Sequence, residues 1–301
     1  MKKVAIIGAG ISGLFIANLF KTNPKYQITI YEKNDSISLE EGYGIQLSVN
    51  SVKLLNEIGF EKLKDSEKFF PEKINFYSNK SFNKICELNI SSFNTKNCRY
   101  TTLKRSVLIN FLKKDLGDLI KTSYNISKIY KHNEIIKLSF DNNVTKDCDY
   151  LIISDGVFSK SKRLILNNKA KPKYNNTLAI RGILTKSPEN IDIKNITLSL
   201  GSNFHYVIYP VNQAGDLNFI AIMKYNLSIE EQKNFSLLSD NFFIKRIEDK
   251  ILFNNKELKK NLKKLKIFPV FVSENFYNLK SEKIHLIGDA FFAFPPSFAQ
   301  G

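Results

Sequence analysis

A short apolar run, Val4-Ala5-Ile6-Ile7, breaks directly into Gly8-x-Gly10-x-x-Gly13. This junction constrains the fold more than any other stretch. Continuous rather than alternating hydrophobicity predicts a strand over residues 3–7 that is buried on both faces, as in a parallel sheet. Gly8 allows a tight turn, Gly10 puts no side chain between the backbone and a pyrophosphate, and Gly13 lets a helix pack close to the strand. That helix is expected over residues 11–20, with its free N–H groups and positive dipole end aimed at phosphate. Asn23-Pro24 stops it, and a second strand is expected over residues 27–31. Glu32 closes that strand about twenty residues past the last glycine, where a carboxylate accepts ribose hydroxyls. Ser12 and Lys33 join the glycines and Glu32 as candidate contacts. Lys2 and Lys3 before an apolar run imitate a signal peptide. Three glycines interrupt the run, however, and Asn18 and Lys21 stand where a cleavage site belongs.

Two further segments repeat the pattern of a buried strand ending in a carboxylate. Residues 149–154 run into Asp155-Gly156, and His285-Leu286-Ile287 runs into Gly288-Asp289-Ala290, followed by Phe294-Pro295-Pro296. A carboxylate at such a position commonly serves a ligand at the carboxyl edge of a sheet. Gly10 and Asp289 are expected to meet at adjoining strand tips. Between them, helical spacing marks residues 48–59 (Val52, Leu55, Ile58) and 106–120 (Leu108, Phe111, Leu112, Leu119). Residues 74–77 and 86–90 read as strands around a polar turn. From residue 177 the texture changes to short strands, at 178–184, 196–200, 205–210 and 218–224, which suggests an antiparallel sheet. Residues 228–266 read as mostly helical, and strand character returns at 284–287.

The expected class is α/β. A discontinuous Rossmann-like domain takes residues 1–70, 98–165 and 280–301, with an inserted antiparallel-sheet substrate domain at 71–97 and 166–279. No stretch has the roughly 18 consecutive apolar residues of a spanning helix. Cys86, Cys98 and Cys148 are odd in number and widely spaced, which argues against a disulfide framework or a zinc site and for a reducing cytoplasm. The net charge is +16. Its densest patch, residues 256–266, sets Leu258, Leu262 and Leu265 against Lys259, Lys260, Lys263 and Lys264. It reads as an amphipathic helix with a solvated basic face rather than a peripheral membrane contact. No nucleic-acid motif accompanies the charge.

Together these residues resemble the flavoprotein aromatic hydroxylases, the single-component FAD monooxygenases of the para-hydroxybenzoate hydroxylase type. Three fingerprints carry the resemblance: Gly8-x-Gly10-x-x-Gly13 with Glu32, the Asp149–Ser159 string around Asp155-Gly156, and Gly288-Asp289-Ala290 with Pro295 and Pro296. Ala179-Ile180-Arg181-Gly182 and the segment from His205 to Val211 are similar to the salicylate-hydroxylase-like branch. The resemblance implies FAD as cofactor and NADPH or NADH as co-substrate. Gly8, Gly10, Ser12, Gly13, Glu32, Lys33, Arg105, Asp155, Gly156, Gly288, Asp289 and Pro296 would contact the cofactors. It further implies reaction of molecular oxygen at the flavin, as a C4a-hydroperoxide, and hydroxylation of an aromatic or quinone-like small molecule. Protein side chains would orient and shield rather than catalyse. His205, Tyr209, Arg181 and Pro295 are candidate pocket residues, with Phe204, Tyr206, Ile208, Phe291, Phe292 and Phe294 as candidate apolar wall.

Two departures stand out. Lys162 occupies the place of an arginine expected after the Asp-Gly motif, keeping charge but losing the planar fork. The chain also stops at Gly301, where relatives open a helix toward the flavin ring, so it reads as truncated. Two alternatives stay open: a FAD-dependent prenyl-chain reductase, and a truncated, inactive FAD-binding protein. A flavin halogenase motif needs tryptophan, and the chain has none.

Overall fold

In the computed structural model the apolar run forms β1 (Lys2–Ile7), followed by α1 (Ile11–Phe20) and β2 (Tyr26–Tyr31). The structure describes residues 1–37, 39, 43–167, 169–184, 192–252, 256–275, 279 and 281–296. Further along lie β3 (Tyr150–Ile153), α2 (Lys160–Ile165) and β4 (Ile284–Leu286). The chain divides into two units: residues 1–39, 108–173 and 271–301, and residues 40–107 and 174–270.

The first unit is built on a five-stranded parallel sheet in the order β4, β3, β1, β2 and the Ile120–Lys121 strand. Val4, Ala5, Ile6 and Ile7 are all buried, which explains why the run does not alternate. Ala5, Ile7, Leu151 and Ile153 share a core with Ile126, Ile136, Leu138 and Phe140 of a three-stranded antiparallel sheet. That smaller sheet (Ile126–His132, Ile135–Phe140, Thr145–Cys148) was not anticipated. Its first strand sets the charged and aromatic residues Lys128, Tyr130 and His132 outward, which masks the apolar inner face. Asn18 is buried in α1, and its amide donates to the Leu14 carbonyl at 2.8 Å and the Leu112 carbonyl at 2.7 Å. The helix expected over 106–120 spans only Arg105–Lys113. Leu116 has left helical geometry (φ −115°, ψ 5°), a short 3₁₀ turn follows over Gly117–Leu119, and β-branched Ile120 joins the sheet edge beside β2.

The second unit carries a seven-stranded sheet in the order Leu262–Val272, Lys173–Leu184, Leu217–Lys224, Phe204–Pro210, Ile196–Leu200, Lys73–Ser78, Lys84–Asn89. Its pairings are antiparallel wherever the register is defined, except between Ile196–Leu200 and Lys73–Ser78. A three-stranded sheet (Gly44–Leu47, Thr101–Lys104, Lys68–Phe69) docks on it. The Gly44 N–H donates to Asn218 Oδ1 at 2.6 Å, and the Thr102 hydroxyl donates to the Pro210 carbonyl at 2.5 Å. These bonds explain why residues 40–70 and 98–107, expected in the nucleotide-binding domain, cluster with the second unit.

The basic stretch at 256–266 is helical only over Lys256–Asn261. From Leu262 it is strand, because Leu262 and Leu265 press against the Lys173–Leu184 strand at Gly182. A Cβ there would meet Leu262 Cδ1 at 2.6 Å and Leu265 Cδ2 at 3.1 Å. Among the described residues, no helix is long and apolar enough to cross a membrane.

Candidate cofactor cradle and substrate face

Three strand tips shape the cradle of the first unit. At β1, Gly8 has φ +100°, and a Cβ there would lie 2.6 Å from the Ser154 carbonyl oxygen. The Ser154 hydroxyl, buried beneath the turn, is shared between the carbonyls of Ile7 at 2.9 Å and Gly8 at 3.0 Å. A Cβ on Gly13 would be driven into the Gly8 carbonyl and the Ser154 hydroxyl. Gly10 differs: no atom of a described residue lies within 4 Å of where its Cβ would be. Its φ of −78° suits any residue, and no side chain caps α1. The glycine at this position therefore keeps space open over the helix N-terminus, where backbone N–H groups await an anion. Glu32 is fixed under the same turn. Its two oxygens accept from the Ala9 N–H at 2.9 Å and the Asn34 N–H at 3.0 Å. Lys33 beside it is exposed.

At β3, one oxygen of Asp155 accepts from the Ser161 N–H at 3.0 Å, while the other is buried with no hydrogen-bond partner among the described residues. Gly156 follows with φ +79°, and no described residue lies within 4 Å of where its Cβ would be. Ser159 caps α2 by accepting from the Lys162 N–H at 2.9 Å. The Lys162 side chain is buried, and desolvation lowers its pKa against the opposing field of Asp155. At β4, Gly288 has φ +56° and abuts Ser12 so closely that a Cβ would collide with the serine hydroxyl. Asp289 makes no hydrogen bond or ion pair to any described residue. Solvent reaches it, yet the protein packed around it desolvates the carboxyl and pushes its pKa up. Pro295 and Pro296 follow, both exposed.

The expectation that the tips of β1 and β4 adjoin is corrected by the strand order: β3 lies between them. Ser12 closes that gap by reaching Gly288 from the first turn of α1. An open anion cradle, an orphaned carboxylate oxygen and an unpartnered carboxyl fit a dinucleotide. Its pyrophosphate would need N–H donors, and its chain hydroxyls would need acceptors. The glycine of the expected flavin-facing helix, Gly301, lies outside the described residues.

In the second unit, strand alternation decides which candidates can act together. Arg181, His205 and Tyr209 share one sheet face with Val207 and Ile220. Phe204, Tyr206 and Ile208 point to the other face, where Tyr206 stacks on Phe219 with centroids 5.7 Å apart. They cannot wall a pocket lined by His205 and Tyr209, which corrects the expectation. Arg181 lies over the Tyr43 ring at 5.4 Å. Burial lowers the His205 pKa, and it raises that of Tyr209, opposed by the charge of Arg181. Tyr100 and Gln46 complete this group: the Tyr100 hydroxyl donates to Gln46 Oε1 at 2.8 Å, and Gln46 also sits against the Tyr209 hydroxyl. No local motif announces either residue. Arg105 opens the Arg105–Lys113 helix, its N–H donating to the Tyr43 carbonyl at 2.8 Å. Phe291, Phe292, Phe294 and Pro295 belong to the first unit, where Phe292 and Phe294 pack at 4.7 Å.

A family profile described as an NAD(P)-binding Rossmann-like domain matches residues 6–40. The chain superimposes over its whole length on HpxO of Klebsiella pneumoniae solved with FAD and uric acid. That match has a TM-score of 0.85 at 18% identity and covers 76% of the HpxO chain. A 2,6-dihydroxypyridine-3-hydroxylase of Arthrobacter nicotinovorans gives a TM-score of 0.79 at 17% identity, covering 99% of this chain and 79% of that one.

The chain has the fold of the FAD-binding hydroxylases.

Sequence similarity to curated relatives is lower in coverage. A 3-amino-4-hydroxybenzoate 2-monooxygenase of Streptomyces platensis is 22% identical over 73% of this chain and 56% of its own length. A 6-hydroxynicotinate 3-monooxygenase of Pseudomonas fluorescens is 25% identical over 60% of this chain and 47% of its own length. The chain thus spans about half the length of the curated relatives it matches. In this hydroxylase fold, the cradle at β1, β3 and β4 occupies the carboxyl edge of the parallel sheet, where ligands of open α/β sheets bind.

Proposed function

We propose that this chain is an FAD-dependent, NAD(P)H-consuming monooxygenase that hydroxylates an aromatic or quinone-like small molecule. The cradle carries the reading: Gly10 leaves the end of α1 open, while Asp155 and Asp289 offer acceptor oxygens that no described residue uses. In this assignment the N–H groups at the start of α1 bind the FAD pyrophosphate. Glu32, held by two backbone N–H groups, takes the adenosine ribose, with Ser12 and Lys33 alongside. Asp289 accepts from the hydroxyls of the ribityl chain, Asp155 and Gly156 serve FAD and the pyridine nucleotide, and Gly288 and Pro296 complete the contacts of this unit. FAD supplies the two-electron and oxygen chemistry when bound.

The protein's own share is orientation and exclusion of water. Half-buried Arg181 and His205 form the polar part of the substrate-facing surface beside Val207 and Ile220, with the buried Tyr209 hydroxyl behind them against Gln46. The names of the relatives support electron-rich hydroxylated ring acids, such as hydroxynicotinates and aminohydroxybenzoates, as the first substrates to try.

The test is direct. Purified protein mixed with FAD and passed through a sizing column should emerge with flavin absorbance. A panel of hydroxylated ring acids should then contain a class that stimulates NAD(P)H-dependent oxygen uptake. A colourless eluate removes the assignment, and retained flavin without stimulated uptake removes the hydroxylase part of it.

A further inference from the structure

We propose that the hairpin edge of the second unit docks this protein on an anionic lipid bilayer. The Lys84–Asn89 strand ends the seven-stranded sheet and pairs on one side only. All six of its residues are exposed. Along and beside it stand four large apolar side chains open to solvent: Phe82 at 46%, Ile85 at 58%, Leu88 at 44% and Phe93 at 61%. They lie along one edge of the sheet: Phe82 at the turn (φ +56°), Ile85 at the bulge, Leu88 on the face it shares with Ile74, and Phe93 in the short 3₁₀ turn after the strand. Scattered apolar residues are ordinary on a surface; four on one exposed edge are not.

Two observations bear on the occupant. A bulge interrupts pairing at Ile85, where Phe76 faces Cys86 but Tyr77 faces Lys84. Bulges and lysines at an edge oppose addition of another strand, so a second copy of this chain is disfavoured. The charge is also one-sided. Residues 73–96 contain Lys73, Lys80, Lys84 and Lys96 against one acid, Glu87, with Glu72 and Asp192 at the base of the hairpin. Glu87 is itself bonded by Lys73 at 2.8 Å and Lys84 at 2.5 Å, which lowers its pKa to about 2. Exposed apolar side chains interspersed in sequence with lysines, on a chain of net charge +16, match a surface with anionic headgroups over an apolar layer. A nucleic acid would use the lysines and leave the apolar edge unserved. The inference stands apart from the flavin assignment.

Co-sedimentation of the full chain with vesicles tests it. Binding is expected to vesicles of phosphatidylglycerol and phosphatidylcholine in equal parts, not to phosphatidylcholine alone, and is expected to weaken at high salt. Joint Phe82→Ser and Phe93→Ser substitution should weaken it about tenfold, the circular-dichroism melt staying at the wild-type temperature. Lys80→Glu, elsewhere on the same hairpin, should also weaken it. Three results would each overturn the proposal: no binding to the anionic vesicles, anionic binding that the double substitution leaves intact, or equal binding to neutral vesicles. An oligonucleotide that binds through Phe82 and Phe93 with the same loss on substitution would reassign the edge to nucleic acid.

Discussion

Gly10 and Gly13 differ by three positions and fail for opposite reasons when altered. Gly13→Ala forces a methyl into the Gly8 carbonyl and the Ser154 hydroxyl, so the ligand-free fold should lose roughly 1–3 kcal/mol in urea unfolding. Gly10→Ala meets no described residue and needs no unusual φ, so ligand-free stability should stay within about 0.5 kcal/mol of wild type. The new methyl instead occupies the space over α1, and FAD affinity, read by flavin fluorescence titration, should fall at least about tenfold. Asp289 gives a pH signature. Its folded pKa is raised, so the native state favours the protonated carboxyl. Its contribution to stability is complete below the ordinary aspartate value and is lost as pH rises through the folded value. Asp289→Asn should therefore melt above wild type at neutral pH without ligand, and the gap should close as pH falls through about 4. The same substitution should weaken FAD binding.

At the level of elements, what the sequence discloses depends on how local the cause is. The turn from β1 to α1 is legible because glycine sterics and a continuous apolar run act within a dozen residues, and α1 spans the residues expected. The Lys256–Val272 region is not, because leucines at 258, 262 and 265 satisfy helical spacing while the deciding contact comes from Gly182, remote in sequence. Ser154 under the turn and Gln46 between Tyr100 and Tyr209 were equally invisible, since their partners are set by the fold. One inter-element bond is measurable by itself. Asn18 holds α1 to Leu112 from a buried position, so Asn18→Ala, which leaves the Leu112 carbonyl without its donor, should cost about 1–3 kcal/mol in urea unfolding.

Across the whole molecule, 45 basic residues against 29 acidic ones create a positive field around any anionic ligand. FAD association measured by stopped flow should slow by roughly an order of magnitude from low to high salt, with much less change in dissociation. Connectivity has its own outcome for biosynthesis. The parallel sheet takes its central strand from residues 2–7 and an outer one, β4, from residues 284–286. While a ribosome is still translating the intervening polypeptide, the early strands wait with one flank bare, and nothing nascent can yet present Asp289. Chaperone capture during synthesis and a slow final refolding phase are the expected price of a sheet whose central strand and outer strand β4 are made so far apart in time.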